Sequence, residues 1–261
     1  MRCLRPRAVI GFPFTLPCWN RTKGYVMKLK NKTVVVTGGS DGIGKHICLK
    51  LAAQGCRLAI LGRDKARLET VCETALSEGA AEARNYAMDL MDAKAIAATA
   101  AQILADFGEI DILINNAGIW HKAGPLESIP ADDLVATVQT NLTGLMQLTQ
   151  AFLPALRNGD EAAILNVVSK SGVVAQAGQS VYTATKYGVR GFSDVLKQDE
   201  AETGVRVAAL YQSGTNTGMF AKAGEEVPNH IFTEPDDLAD VVVFMLSRPP
   251  KLWMHEVHVE L

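Results

Sequence analysis

From Thr33 onward, short runs of β-branched and aliphatic residues alternate with longer stretches of helical periodicity. The strand-like runs are Thr33–Thr37, Arg57–Leu61, Ala83–Ala87, Asp111–Asn115, Ala162–Val168, Val205–Tyr211 and Glu256–Val259. Between the first two, Ile43, Ile47 and Leu51 recur every four residues. Further helices are expected over Lys65–Ser77, Ala93–Phe107, Ala131–Leu156, Ser180–Glu202 and Pro235–Leu246. Gly55, Gly79 and Gly204 stand where helix C-caps belong. Strands separated by helices need crossover connections, so they lie parallel with helices on both faces of the sheet. The unbroken apolar run Val34-Val35-Val36 agrees with a strand buried on both sides. The chain is expected to form one α/β domain.

Bulk composition narrows the function classes. The chain has 261 residues, 48% of them hydrophobic and 21% charged, enough for one sizeable core. Formal net charge is −2. The basic residues Arg2, Arg5, Arg7, Arg21 and Lys23 crowd residues 1–26, which contain no acid, so the body holds 21 basic residues against 28 acidic. A mildly acidic body argues against nucleic acid or a membrane surface as partner. No apolar run reaches the ~18 residues of a membrane span. Five cysteines (Cys3, Cys18, Cys48, Cys56, Cys72) show no metal-ligand spacing and read as reduced thiols of a cytoplasmic protein.

The pattern of a folded domain spans residues 27–261. Residues 1–26 carry Pro6, Pro13 and Pro17 and no sustained periodicity. Three readings compete: a targeting segment, a disordered arm, or a mis-assigned start with translation beginning at Met27. A targeting segment lacks a small-x-small cleavage site here. Lys23-Gly24 is encodable by a purine-rich ribosome-binding sequence at a suitable distance before Met27, and the third reading is preferred.

Thr37-Gly38-Gly39-Ser40-Asp41-Gly42-Ile43-Gly44 follows the first strand and opens the first helix. Glycines there permit a tight turn and close approach of backbone to a pyrophosphate, which the helix N-terminus then attracts. Gly38, Ser40, Gly42, Ile43 and Gly44 are candidate cofactor-binding residues. The second strand ends in Leu61-Gly62-Arg63. An acid near this point suits the ribose 2′-hydroxyl of NAD, whereas Arg63 suits a 2′-phosphate, so NADP(H) is expected rather than NAD(H). Asp89, after the third strand, is positioned either to accept from an adenine amino group or to cap the next turn.

Tyr182 and Lys186 lie four residues apart, on one face if the segment is helical, with Ser169 thirteen residues upstream. A free phenol titrates near ~10. A cation within ~4–6 Å lowers that value and makes Tyr182 a usable acid/base toward neutral pH. By itself the Tyr-x-x-x-Lys spacing also fits a surface pair on an amphipathic helix.

Together these residues resemble the short-chain dehydrogenase/reductase family over Met27 to Leu261. Thr37 to Gly44 is similar to its T-G-x-x-x-G-x-G segment, Asn115-Asn116-Ala117-Gly118 to its N-N-A-G, and Asn141 to its catalytic asparagine. Ser169, Tyr182 and Lys186 match its remaining catalytic residues in order and spacing; Ser171, only eleven residues before Tyr182, fits less well and reads as a turn residue. The resemblance implies a Rossmann-type doubly wound sheet of about seven strands. It implies NADP(H) as cofactor and a small carbonyl or alcohol as substrate. Tyr182 would protonate the carbonyl oxygen, Ser169 position it, Lys186 lower the tyrosine pKa and hold the nicotinamide ribose, and Asn141 fix a relay water. Asn116, Thr215 and Thr217 fall where the family meets its cofactor, and a homodimer or homotetramer would form through the helices of 131–156 and 180–202.

Two features depart from that pattern. Gln212-Ser213 stands where the family has Pro-Gly beside the nicotinamide. The chain also ends without a glycine-rich V-D-G-G segment. His255 and His258, three apart on a strand, face opposite sides and make a poor metal pair, so no metal is expected. Residues 218–233 are expected to form a lid, with Met219, Phe220 and Ala221 lining an apolar pocket bordered by Trp120 and His121. The altered turn keeps a second reading open, a catalytically impaired NADP(H)-binding regulator or scaffold of the same fold.

Overall fold

The computed structural model describes residues 28–159 and 161–261. The readings made for residues 1–26, including Cys3 and Cys18, fall outside these residues. Seven parallel strands form one sheet: β1 (Thr33–Thr37), β2 (Arg57–Gly62), β3 (Glu82–Ala87), β4 (Ile112–Asn115), β5 (Ala163–Val167), β6 (Arg206–Gln212) and β7 (Glu256–Val259). Their spatial order is β3-β2-β1-β4-β5-β6-β7. Every neighbouring pair is parallel, with Val35 of β1 opposite Ala59 and Leu113. The expected doubly wound α/β architecture is what the chain adopts.

Side-chain alternation sorts each strand between two cores. Val34 and Val36 point into one, where α1 (Gly42–Ala53), α2 (Lys65–Ser77) and α8 (Pro235–Leu246) pack. Val35 points into the other, covered by α3 (Ala93–Phe107), α5 (Gly144–Leu156) and the end of α6 (Ser180–Asp199). Val34, Val35 and Val36 are all fully buried, as a strand clad on both faces requires. Asp41, Asp64 and Asp92 cap α1, α2 and α3, each accepting from a backbone N–H of its first turn. Gly55 and Gly79 follow α1 and α2 with positive φ, the expected chain reversals.

Two helices differ from expectation. Residues 131–156 form α4 (Ala131–Val138) and α5, separated by a π-helical turn over Gln139–Thr143. α6 stops at Asp199, before the expected Glu202. There Glu200, almost wholly buried, turns its carboxylate to Arg157 and to Thr203, so Gly204 lies past the end of the helix rather than capping it. Residues 218–233 contain only a short helix, α7 (Met219–Lys222), and one 3₁₀ turn.

At the middle of the sheet a chain of amides crosses from β4 to β5. Asn115 Nδ2 donates to Thr149 Oγ1 (3.0 Å) and to Asn166 Oδ1 (2.8 Å), and Asn166 Nδ2 donates to Ser193 Oγ (2.8 Å). Asn115 and Asn166 are register partners. The network ties both strands to α5 and α6 from within, directly beneath the ends that carry the site.

Candidate active site

Strand order reverses between β1 and β4, where ligands enter open parallel sheets. At that point the carboxyl ends of the strands border a cleft of about 530 Å³. Of the fourteen residues singled out from the sequence, twelve line it; Gly44 and Asn141 stand behind its wall.

One end is built from the glycine segment. Gly38 takes φ 66° as the chain leaves β1, and α1 begins at Gly42 with its N-terminus toward the cleft. A methyl at Gly44 would overlap the Gly38 carbonyl and the Asn116 amide, so this turn needs a bare backbone. Thr37 Oγ1 accepts from Asn116 N and Ala117 N (3.0 Å each), and Asn116 Nδ2 donates to Thr37 O (2.9 Å). Asn116 therefore binds the loop after β4 to the glycine turn. Asp41 spans the mouth: it caps Gly42 N (2.7 Å) and pairs with Lys222 Nζ (2.7 Å) and Arg67 Nη1 (3.2 Å). The Lys222 ammonium is the main cause holding the Asp41 carboxyl below the usual range.

Arg63 lines the cleft from the end of β2 and is exposed. The neighbouring acid, Asp64, is committed elsewhere, accepting from Arg67 N (3.1 Å) as the cap of α2 and pairing with Arg67 Nε (3.1 Å). Asp89 lines the cleft while one of its oxygens accepts from Met91 N (3.0 Å), so it serves the turn and still faces the opening.

The other end gathers the acid–base residues. Tyr182 and Lys186 occupy the first two turns of α6 and are nearly buried, at 6% and 5% exposure. Lys186 Nζ lies 5.6 Å from the Tyr182 ring centre and donates to Val167 O (3.1 Å). Ser169, at the exit of β5, takes φ 141° and ψ 157°, a region costing a non-glycine residue of order 1–3 kcal/mol. Its hydroxyl reaches the Tyr182 phenol and also accepts from Ser171 N (3.1 Å). Ser171, the rival serine, also lines the cleft, and its hydroxyl donates to Gln179 Oε1 (3.1 Å).

The electrostatics run against one expectation. The phenol of Tyr182 is pushed up to about 12, because burial outweighs the opposing pull of Ser169. The same burial lowers Lys186 to about 8. Both groups have been taken out of water, and the desolvation cost of a phenolate exceeds what the Ser169 hydrogen bond returns.

Asn141 sits in the π turn and is fully buried. Its Oδ1 accepts from Ile119 N (2.7 Å) and its Nδ2 donates to Ile119 O (2.9 Å). This two-way clamp fixes the segment after Asn115–Gly118. A methyl at Gly118 would lie 3.4 Å from Asn141 Oδ1 and 3.8 Å from Lys186 Nζ, so that glycine separates the two side chains.

Trp120, Met219 and Phe220 line the cleft above Tyr182; Ala221 and His121 do not. Trp120 meets Tyr182 edge-on with ring centres 4.7 Å apart and Phe220 at 5.4 Å. Glu225 holds the indole, accepting from Trp120 Nε1 (3.0 Å) and from Ala123 N. At the exit of β6, Gln212 and Ser213 also line the cleft. Ser213 N and Oγ both donate to Val259 O (3.0 and 3.2 Å), bonding this turn to β7. Glycine at that place lacks the second of these bonds. Thr215 and Thr217 continue the wall, with the Thr217 methyl against Gly42.

His255 Nδ1 faces Val207 O, and His258 stacks on Tyr211. Among the described residues no group of three His, Cys, Asp or Glu side chains comes together as metal ligands would. Cys48, Cys56 and Cys72 are buried free thiols. No helix among the described residues is long and apolar enough to cross a membrane.

Sequence reading overlooked Asp41, Arg67, Lys222, Glu225 and Asn166. The capping role of Asp41 was legible in its place before Gly42. Its partners lie 26 and 181 residues away, beyond any spacing rule.

Comparison with known proteins agrees with this geometry. A profile of the family described as short chain dehydrogenase matches residues 32–228. The chain is 33% identical over 228 residues to acetoacetyl-CoA reductase of Shinella zoogloeoides, covering 83% of this chain and 91% of that protein. It is similar to a metagenomic short-chain oxidoreductase solved in complex with NADP (TM-score 0.78, 32% identity, 89% and 98% of the two chains). It is also similar to a short chain dehydrogenase from Burkholderia cenocepacia J2315 in complex with NADP (TM-score 0.79, 29% identity, 90% and 97%). A family profile spanning most of the chain, together with relatives matched over nearly their whole length, establishes that the chain belongs to the short-chain dehydrogenase family.

Proposed function

We propose that residues 27–261 act as one NADP(H)-dependent oxidoreductase, transferring a hydride between the nicotinamide and a carbonyl or secondary alcohol of a small molecule. The observation that carries this reading is the convergence of Ser169, Tyr182 and Lys186 at the strand-reversal cleft, opposite a glycine turn too tight for a side chain at Gly44.

The residues present fit the dinucleotide. Gly38, Ser40, Gly42 and Ile43 offer backbone at a helix N-terminus for the pyrophosphate. Arg63, with Asp64 committed to α2, suits the 2′-phosphate and favours NADP(H) over NAD(H). Asp89, Asn116, Thr215, Thr217 and Lys186 complete the candidate binding set. Two similar structures were solved with NADP, which supports the same choice. When bound, the cofactor supplies or accepts the hydride.

In the reductive direction Tyr182 donates its phenolic proton to the substrate oxygen, which the Ser169 hydroxyl orients. A phenol held protonated across neutral pH is the state reduction requires. The Lys186 ammonium offsets the negative charge left on the phenolate. Asn141 positions Ile119, and through it the loop beside Lys186.

Three buried free thiols support a reducing, cytoplasmic setting. The exposed apolar side chains Val135, Met146, Tyr187 and Val195 on α4, α5 and α6 support a homodimer or homotetramer through these helices.

The test is Tyr182→Phe. Turnover of carbonyl substrates, followed by NADPH absorbance, falls at least a thousandfold while NADPH affinity stays within about twofold. Turnover by the variant at the parent rate would remove Tyr182 from its role. A parent protein that binds NADPH yet turns over no carbonyl in a broad panel would instead favour a regulatory or scaffold protein of this fold.

A further inference from the structure

We propose that the substrate is an uncharged ketone or secondary alcohol carrying a flat apolar group, which seats against Trp120 and Phe220; this deepens the reductase reading and rests on it. Beyond Tyr182 the cleft wall changes in chemistry. Trp120, Met219 and Phe220 face it and remain half-exposed. The indole is set edge-on to both Tyr182 and Phe220, at 70° and 74°, so the three rings form a corner rather than a stack. Glu225 fixes the indole through Nε1, and its second oxygen is occupied by Ala123 N. A pre-set aromatic slab loses little rotamer freedom when a ligand lands on it, and flat rings prefer the edge and offset contacts such a corner offers.

The uncharged polar groups at this end are paired with one another. Ser171 donates to Gln179, and Gln179 donates to Gln176. The two lysines that reach this part of the wall already face acids, Lys170 with Glu260 (3.4 Å) and Lys222 with Asp41 (2.7 Å). Lys186 lies deeper, bonded to Val167 O beside the phenol. A substrate carboxylate would compete with those acids for the lysines, and it would approach the Glu225 carboxylate behind Trp120. An ester or a simple ketone meets none of these penalties.

Four β-keto compounds test the inference on the full chain with NADPH: benzoylacetate, acetoacetate and the ethyl ester of each. Ethyl benzoylacetate is expected to exceed ethyl acetoacetate, and each ester its own acid, by about tenfold or more in kcat/KM. Trp120→Ala should bring the phenyl-to-methyl ratio to within about threefold, chiefly through KM, while Trp120→Phe keeps most of it. Should Trp120→Ala fail to fold, Phe220→Leu on the exposed α7 gives the same readout. Acids turned over as fast as their esters, or a phenyl preference untouched by both variants, overturn this inference and leave the reductase reading standing. No turnover of any of the four overturns this inference, and the broad carbonyl panel then decides the reductase reading separately.

Discussion

Lys186 keeps an ammonium where water scarcely reaches. An unfolded lysine titrates near ~10.4, whereas the folded group does so at about 8. Between those values the unfolded chain binds more protons, so this group's contribution to stability rises with pH across that window. Below it, the buried charge costs on the order of 3 kcal/mol. Lys186→Met is therefore expected to melt higher than the parent at pH 7, with the gap shrinking by pH 10, while losing turnover; thermal melts at both pH values check it. Tyr182 has the opposite sign: its folded pKa of about 12 exceeds the free value of ~10, and the stability it contributes is lost as pH rises through that range. At the far end of the cleft, Arg63→Asp should move the NADP(H)-to-NAD(H) ratio of kcat/KM toward NAD(H) by at least tenfold. An unchanged ratio would remove the 2′-phosphate contact. The positions of Ser169, Tyr182 and Lys186 were legible because they obey short-range spacing. The direction of the phenol's shift was not, because burial comes from the whole fold rather than from the four-residue spacing of Tyr182 and Lys186.

Elements were legible where one periodicity ran from cap to cap. α2, α3 and α8 begin and end where hydrophobic spacing and capping residues place them. The segment 131–156 read as one helix because a π turn inserts a residue without breaking helical composition. What reveals the insertion is Asn141, a buried amide in that turn that clamps Ile119 from a distant loop. Residues 218–233 are tied down by Glu225 to Trp120 and Ala123, by Lys222 to Asp41, by the Thr215–Thr233 bridge and by the ring contacts of Phe220 with Trp120 and Phe232. Exposed ion pairs are worth roughly 0–1 kcal/mol, so of the two carboxylate links the Glu225 one contributes more. Glu225→Ala is expected to raise KM for both cofactor and carbonyl severalfold and to shift Tm by less than about 4 °C. Steady-state kinetics beside a thermal melt separates the two effects.

Across the molecule, the two-sided burial of the sheet followed from the apolar strands, and the cleft followed from the order reversal such sheets contain. Association through the helices of 131–156 and 180–202 was expected from the family resemblance alone. Val135 and Val195 are 58% and 57% exposed on α4 and α6, too exposed for core positions. If the homo-oligomer proposed above forms through these helices, changing both to Asp converts it to monomer by light scattering after size exclusion while the fold persists by circular dichroism. An unaltered mass would exclude these helices from the contact.

The amide chain through Asn115 and Asn166 bears on how the molecule assembles. A slip of β5 by one residue would turn Asn166 toward the apolar helices of the opposite face and strand its partner. A misaligned β4–β5 pair thus carries a buried amide without its partner, which the native register avoids. The central polar link therefore singles out one strand alignment by its energy, the alignment that sets Ser169 beside Tyr182.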